Sequence, residues 1–335
     1  MEKRTNVFLR NEKITKSVNI TDLDKPEILN EIIDRWQNII DLIAKIMKVP
    51  SGLIMRITEN SMKVFLKSRN KENPYEEGAS DSLGNGLYCE TVIGTDAELL
   101  IDNSLKYDEW RDNPDVKLNM ISYYGLPLKW PDKDFFGTIC VLDKKENAYS
   151  SDFRKLILEL KLSIEKDLDL LCQKKELQYH AEMDSLTTIY NRRKIESIIS
   201  NEYSRSKRNS NPFAIALFDL NKFKEINDTK GHSVGDEILK AFSTAIMTRI
   251  RSIDSFGRWG GDEFILICPD TDKNGVDTLL NNLKISVEAD MDKITSNLGF
   301  CFGVSEFSIK DENYSTVIKR ADDSLYISKK IDSKL

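Results

Sequence analysis

Residues 152 to 184, DFRKLILELKLSIEKDLDLLCQKKELQYHAEMD, contain neither glycine nor proline, and Ile157, Leu160, Ile164, Leu168 and Leu171 recur in them at spacings of three and four. Such a run predicts one long helix with an apolar stripe. A chain of 335 residues exceeds one typical core and accommodates two domains plus this connector. The stripe fades after Leu171 while helix-forming residues continue, which favours a dimeric stalk over a helix that only covers the first half.

The net charge of −6 leaves no basic footprint for a phosphate backbone or an anionic lipid surface, so neither nucleic acid nor membrane is an expected partner. No apolar run reaches the roughly 20 residues that span a bilayer. The start, MEKRTNVFLRNEKITK, is too charged for a secretory signal, and a cytoplasmic protein is expected. Cys89, Cys140, Cys172, Cys268 and Cys301 are odd in number and scattered without CxxC spacing, which predicts free, mostly buried thiols.

Beyond an N-terminal segment, 1–24, apolar residues at Ile28, Ile32, Trp36, Ile39, Ile43 and Ile46 predict an amphipathic helix from Lys25 to Met47. LIMRITE and MKVFLKS, separated by Asn60 and Ser61, predict an antiparallel hairpin. A short helix at LYCETVI and strands at AELLI, ISYYGLPLKW and FGTICVLD follow, without regular βαβ alternation, so an α+β domain with an antiparallel sheet is expected. GLYCETVI, NPDVKLNMISYYGLPL and FGTICVLD make residues 26–149 resemble a GAF domain, a family of small-molecule sensors and dimerisation modules. The resemblance implies a sensor domain over 25–150 with a small-molecule ligand whose identity it does not give. His180 and His232 both lie beyond it, which disfavours a histidine-ligated haem. Cys89 is followed by Glu90 rather than histidine, unlike some bilin-binding relatives. Trp110, Tyr123, Tyr124 and Trp130, with Cys89 and Cys140, are read as core ahead of pocket.

In the second half, apolar residues from Phe213 to Phe218 predict a buried strand with Asp219 where it ends. About forty residues on, FGRWGGDEFILIC reads as a hairpin with Gly260 and Gly261 in the turn, Asp262 and Glu263 beside them, and a buried strand after. Glycine there admits backbone angles closed to other residues and a close approach to ligand. If the strands are neighbours, Asp219 and Asp262 converge. Clustered carboxylates with no histidine or thiolate nearby are hard oxygen ligands suited to Mg²⁺, whose shell phosphate oxygens usually complete, so a nucleoside triphosphate is implied.

Four motifs in order, DSLTTIYNRR (184–193), FDLNKFKEINDTKGHSVGD (218–236), RWGGDEF (258–264) and RADDSLYISKK (320–330), make this half resemble the GGDEF domain of diguanylate cyclases. The resemblance implies a cyclase-like α/β domain over 184–335 with a central, mostly antiparallel sheet, joined by a helical dimeric linker, 151–183. It implies condensation of two GTP into cyclic di-GMP. Asp219, Asp262 and the Leu220 carbonyl would hold Mg²⁺, with Mn²⁺ the alternative, and Glu263 would sit at the metal or help activate the 3′-hydroxyl. Lys224 and Lys329 fall where the family contacts phosphate, and Asn227 and Asp236 where it reads guanine. A carboxylate accepts from guanine N1–H and the 2-amino group, a donor pair adenine lacks. One domain holds one GTP, so two must face each other as a homodimer.

Asn221 stands where the family more often has a second aspartate, and Asp332, Ser333 and Lys334 stand where it has glycine, arginine and asparagine. The competing readings are an inactive receptor for GTP or cyclic di-GMP, against which the metal carboxylates count, and a hybrid cyclase that also accepts ATP, against which Asp236 counts. Arg251 and Asp254, five residues before Gly260, match the family's RxxD inhibitory site for its product, and the plain reading of the pair is a surface helix end.

Overall fold

The computed structural model describes residues 5–11, 14–20, 25–294 and 298–332. The chain divides into two compact units, Met1–Glu176 and Leu177–Leu335. In the first, β1 (Thr5–Asn11) and β2 (Ile14–Ile20) form an antiparallel hairpin for which the sequence pattern predicts no element. Helix α1 (Asn30–Met47) begins later than Lys25: Leu29 is extended, and Lys25 is drawn away to the Asp132 carboxylate and the Trp130 ring. The predicted hairpin is β3 (Ser51–Ile57) and β4 (Ser61–Lys67). There follow β5 (Ser80–Ser82), α2 (Tyr88–Thr95), β6 (Leu99–Ile101), β7 (Ser122–Lys129), β8 (Phe135–Asp143) and α3 (Ser151–Glu182). The strands make one antiparallel sheet in the order β5-β4-β3-β8-β7-β6.

Both faces of this sheet are covered, which is why β7 and β8 are buried along nearly their whole length instead of alternating. On one face Trp36, Ile40 and Ile43 of α1 and Ile157, Ile164 and Leu168 of α3 pack on Ile54, Leu126 and Ile139. On the other, Tyr88 and Val92 of α2 pack on Leu53, Met55, Cys140 and Leu142. Trp110 lies in this second cluster with Tyr123, and Tyr124 and Trp130 in the first. Asp167 ties the two helices: it is buried, and its Oδ2 accepts from Trp36 Nε1 at 2.8 Å and Arg35 Nε at 3.1 Å. That satisfies a charge whose burial would otherwise be costly.

The stripe on α3 therefore has a different job from the one its spacing suggests. Ile157, Ile164 and Leu168 are fully buried against the unit's own sheet and α1, and Leu160 packs partly against the same cluster. The nearest apolar surface takes the stripe before any second chain can. Leu158, Leu162, Leu170 and Leu177 are the exposed leucines of this helix, at 42%, 47%, 52% and 70%.

The second unit contains α4 (Arg192–Asn209), β9 (Phe213–Leu220), α5 (Phe223–Lys230), α6 (His232–Met247), β10 (Ser255–Gly260), β11 (Glu263–Pro269), α7 (Lys273–Met291), β12 (Phe300–Glu306) and α8 (Tyr314–Asp332). Its sheet is antiparallel in the order β10-β11-β9-β12. The chain is thus a two-domain α+β protein with antiparallel sheets. In β9, Ile215 and Leu217 face Ile195 of α4 and Ala321 and Leu325 of α8, while Ala216 and Phe218 face Phe242 and Ile246 of α6 and Leu280 of α7. A strand sandwiched between helices reads as an unbroken apolar run, broken here only by the half-buried Asp219 before the last residue, Leu220. The five cysteines are free thiols, four buried and Cys172 half-buried. Among the described residues no helix is long and apolar enough to cross a membrane.

Candidate active site

The central strand β9 brings the acidic groups together by register. Asp219 pairs directly with Glu263 on β11, and cross-strand partners in an antiparallel sheet point to the same face. Asp262 precedes Glu263 in the turn, where Gly261 adopts φ +51°, a left-handed conformation that costs glycine nothing and other residues about 1 kcal/mol or more. Burial raises the pKa of both Asp262 and Glu263, and the charge on Asp219 raises each further. The cluster is thus short of positive charge. Lys329 of α8 supplies part of it, with Nζ 2.6 Å from Asp219 Oδ2.

Among the described residues no three His, Cys, Asp or Glu side chains already converge as a cation cage. The donors nevertheless suit a hard divalent ion, which takes one or two protein carboxylates and fills its remaining positions from water and substrate phosphates. Leu220, the last residue of β9, pairs with Phe300, and Asn221 N donates to the Gly299 carbonyl at 2.9 Å. Lys224 is exposed in the first turn of α5.

Helices α5 and α6 are joined by Gly231 alone, so Asn227, near the end of one, and Asp236, in the first turns of the other, share one corner. The Asn227 Oδ1 is buried without a hydrogen-bond partner. Gly235 makes room for it: a Cβ there would come within 2.0 Å of that oxygen. Asp236 is exposed. A buried acceptor without a donor is costly, and an exposed carboxylate beside it is free to accept from solvent or ligand.

Arg251 and Asp254 lie in a turn, not at a helix end, since α6 finishes at Met247. Asp254 N donates to the Arg251 carbonyl and Asp254 Oδ2 accepts from Arg251 N, both at 3.0 Å. The Arg251 side chain is exposed, and the Asp254 carboxylate lies against the buried Cys268 thiol, whose pKa burial and the Asp254 charge raise. Ser333 and Lys334 lie outside the described residues, as does the side chain of Asp332.

One supporting pair is not singled out by the sequence pattern. Arg258, two residues before the glycines, donates from Nε to the Gly261 carbonyl at 2.8 Å and from its terminal nitrogen to Asp184 Oδ1 at 3.3 Å. Asp184 Oδ1 also accepts from Thr187 N and Oγ1. Burial raises the Asp184 pKa, but the Thr187 hydrogen bonds and the Arg258 charge outweigh it and hold the carboxyl below its usual range. Arg258 thereby fastens the acidic turn to the segment that enters α4. A hollow of about 410 Å³ beside Glu263 is lined by Arg192, Trp259, Tyr314 and Asp322 among others, with the Arg192 guanidinium 4.5 Å from the centre of the Trp259 ring.

The fold and site define a two-domain protein whose second unit gathers carboxylates and a lysine at the end of a central strand. Residues 181–334 match the family model described as "Diguanylate cyclase, GGDEF domain". The chain carries a GGDEF domain at its C-terminal end, and GGDEF diguanylate cyclases generally use divalent metal ions. It is 32% identical over 182 residues to the diguanylate cyclase DosC of Escherichia coli, covering 52% of this chain and 39% of that protein. To the response regulator PleD of Caulobacter vibrioides it is 30% identical over 151 residues, 44% of this chain and 33% of that one. The chain therefore spans well under half the length of these relatives. A crystal structure of the coiled coil and GGDEF domain of DgcB from Caulobacter crescentus, in complex with c-di-GMP, is 22% identical, with a TM-score of 0.48 over 54% of this chain and 95% of that one.

Proposed function

We propose that this chain is a diguanylate cyclase in which a GAF-like sensor domain, residues 25–150, and a helical linker, 151–183, govern a GGDEF domain, 184–335. The observation that carries the reading is the pairing of Asp219 with Glu263 beside the Gly261 turn, with Lys329 on Asp219. In each of two condensations the 3′-hydroxyl of one GTP attacks the α-phosphorus of another, a P–O bond forms, the bond to the β-phosphate bridging oxygen breaks, and pyrophosphate leaves. Asp219 and Asp262, with the Leu220 carbonyl, are the groups to hold Mg²⁺. A divalent ion there neutralises the triphosphate and stabilises the charge of the in-line displacement. Lys329, now on Asp219, would exchange it for a phosphate oxygen, and Lys224 would meet the same chain of phosphates. Glu263, with a pKa raised by burial and by its acidic neighbours, is the better base for the 3′-hydroxyl proton. Asn227 and Asp236 take the guanine edge. Such a nucleotide substrate places the reaction in the cytoplasm.

Incubating the purified chain with Mg²⁺ and GTP, ATP or both, and separating the products by chromatography, tests this. Cyclic di-GMP from GTP alone is expected. Nucleotide binding without any product would instead favour the receptor reading.

Gly235→Ala probes the guanine corner. The added methyl displaces the Asn227 amide, the far end of a flexible side chain, so the melting temperature should hardly move. The KM for GTP should rise about tenfold, the effect of roughly 1.4 kcal/mol. An unchanged KM would remove Asn227 from base recognition.

Arg251 and Asp254 are proposed to bind the product. An exposed guanidinium can grip phosphate or the guanine Hoogsteen edge, and the Asp254 carboxylate can accept from N1–H. Arg251→Ala with Asp254→Ala should keep the initial rate and lose inhibition by added cyclic di-GMP. Equal inhibition of wild type and variant would leave the pair a turn and nothing more.

A further inference from the structure

On the sheet face away from α1 and α3, the first unit has a recess of about 220 Å³. Its floor is apolar, formed by Leu53, Met55, Val64 and Leu142 of the sheet, and Tyr75 and Tyr123 add aromatic walls. Cys89 and Cys140 also line it while staying buried in the core cluster, as the sequence reading expects. Their polar contacts are internal and uncharged: Thr138 Oγ1 donates to Cys89 Sγ at 3.3 Å, and Tyr123 OH lies 3.5 Å from the same sulfur. Burial pushes the Cys140 thiol up.

The charged residues that line the recess are all acidic. Glu76, Asp81 and Asp115 line it, and no lysine, arginine or histidine does. Glu76 points outward to Lys67, 3.2 Å away, and Asp81 is exposed. Asp115 differs. Its residue is half-buried but its carboxyl faces inward, and burial pushes its pKa up to about 6. Tyr75 OH donates to Asp115 Oδ1 at 2.7 Å, and no cation among the described residues pairs with that carboxylate. A buried carboxylate with one hydroxyl donor is left well short of the partners such a charge requires. The rim beside it is held in place in advance: Glu90 accepts from the backbone amides of Gly86 at 2.9 Å and Leu87 at 3.1 Å, and Asn113 Nδ2 donates to the Gly86 carbonyl at 2.8 Å.

We propose that this recess binds a small organic cation, an ammonium group carried on an aromatic or branched aliphatic body, with the ammonium on Asp115 and the body over Leu53, Met55 and Val64. The volume is below the roughly 300–1,000 Å³ of sites for drug-sized ligands, which selects a small molecule. The Tyr75 ring adds attraction for a cation and for an aromatic body alike. An anion would meet the Asp115 carboxylate with no lysine, arginine or histidine lining the recess, and a neutral molecule would leave Asp115 without a cation. This gives the sensor reading a ligand class and rests on that reading only for its effect on turnover.

The test is calorimetric titration of the full chain at pH 7.5 with 2-phenylethylamine, 2-phenylethanol and phenylacetate as probes of one shape and three charges. The amine should bind about 30-fold or more tighter than the alcohol, the low end for losing one partner of a buried charge pair, and phenylacetate should not bind. Asp115→Asn keeps the shape and the acceptor for Tyr75. It should weaken the amine by the same factor, leave the alcohol within about threefold, and melt at or above the wild-type temperature, because an acid raised by burial costs stability once ionised. Equal binding of amine and alcohol, no binding of the amine at millimolar concentration, or an Asp115→Asn variant that binds the amine like wild type would overturn the proposal. Cyclic di-GMP synthesis measured with and without the amine separates the two ideas. Binding without a change in rate leaves the recess standing and removes its sensory role, whereas a signal-dependent rate without amine binding assigns sensing to another ligand.

Discussion

Asp262→Asn is expected to lower cyclic di-GMP synthesis by on the order of 10³-fold while making the metal-free protein more resistant to heat. Both effects come from one cause. Asp262 is partly buried in a turn beside Glu263 and near Asp219, and burial and the Asp219 charge together raise its pKa. An acid whose pKa is higher folded than unfolded costs stability once it ionises. That cost is absent at acid pH and grows as pH rises through the unfolded-state value near 4. Asparagine removes the charge and keeps the shape, so the variant should melt higher than wild type at pH 7.5 in a chelator, and the difference should shrink toward pH 4 and vanish below it. Added Mg²⁺ should then raise the wild-type melting temperature more than the variant's. Thermal melts at the two pH values, with and without metal, beside a chromatographic assay, test the account. Product within tenfold of wild type, or a lower melting temperature in chelator, would contradict the idea that these carboxylates are held together for a cation at the expense of stability.

The acidic turn was legible in the sequence because its geometry is local. An apolar run ends at Asp219, two glycines mark a hairpin, and once the two strands are neighbours the register brings Glu263 opposite Asp219. The same holds for the β3–β4 hairpin, whose turn and alternation lie within a few residues. Long-range partners were not legible. Arg258 and Asp184 are 74 residues apart, and nothing in either motif says that the arginine faces back across the edge of the sheet. Lys329 comes from the last helix, and only the family resemblance, not its spacing, pointed to this site. The α3 stripe misled for a different reason. Periodicity states that a helix has an apolar face but not what covers it, and the Trp36 and Asp167 contact that decides the matter joins elements more than a hundred residues apart. The recess in the first unit was hidden likewise. Cys89, Tyr123 and Cys140 have the composition of a core, and an inward-facing Asp115 in a short polar stretch looks like any loop carboxylate.

The corrected helix face carries the second large effect. If the chain works as a dimer through α3, the contact has to use the side chains the first unit leaves exposed, among them Leu162 and Leu170 at 47% and 52%, and not the buried stripe of Ile157, Ile164 and Leu168. Leu162→Glu with Leu170→Glu should therefore leave the melting temperature of the chain nearly unchanged. In a symmetric dimer the pair of substitutions touches four leucines. Each contributes about 1.5–3 kcal/mol when fully covered, so half that coverage amounts to roughly 3–6 kcal/mol, or 10²–10⁴ in the dissociation constant. Sedimentation should show monomers, and turnover should fall with dimer content, recovering as chain concentration rises, because two GTP-loaded domains have to meet for either 3′-hydroxyl to reach its target. Leu168→Glu is the contrasting variant. It places a charge among Trp36, Ile40 and Ile164 and should unfold the first unit, costing upwards of about 4 kcal/mol. A double glutamate variant that stays dimeric and fully active would show that this face of α3 is only a solvated surface and that any association of the chain runs through another element.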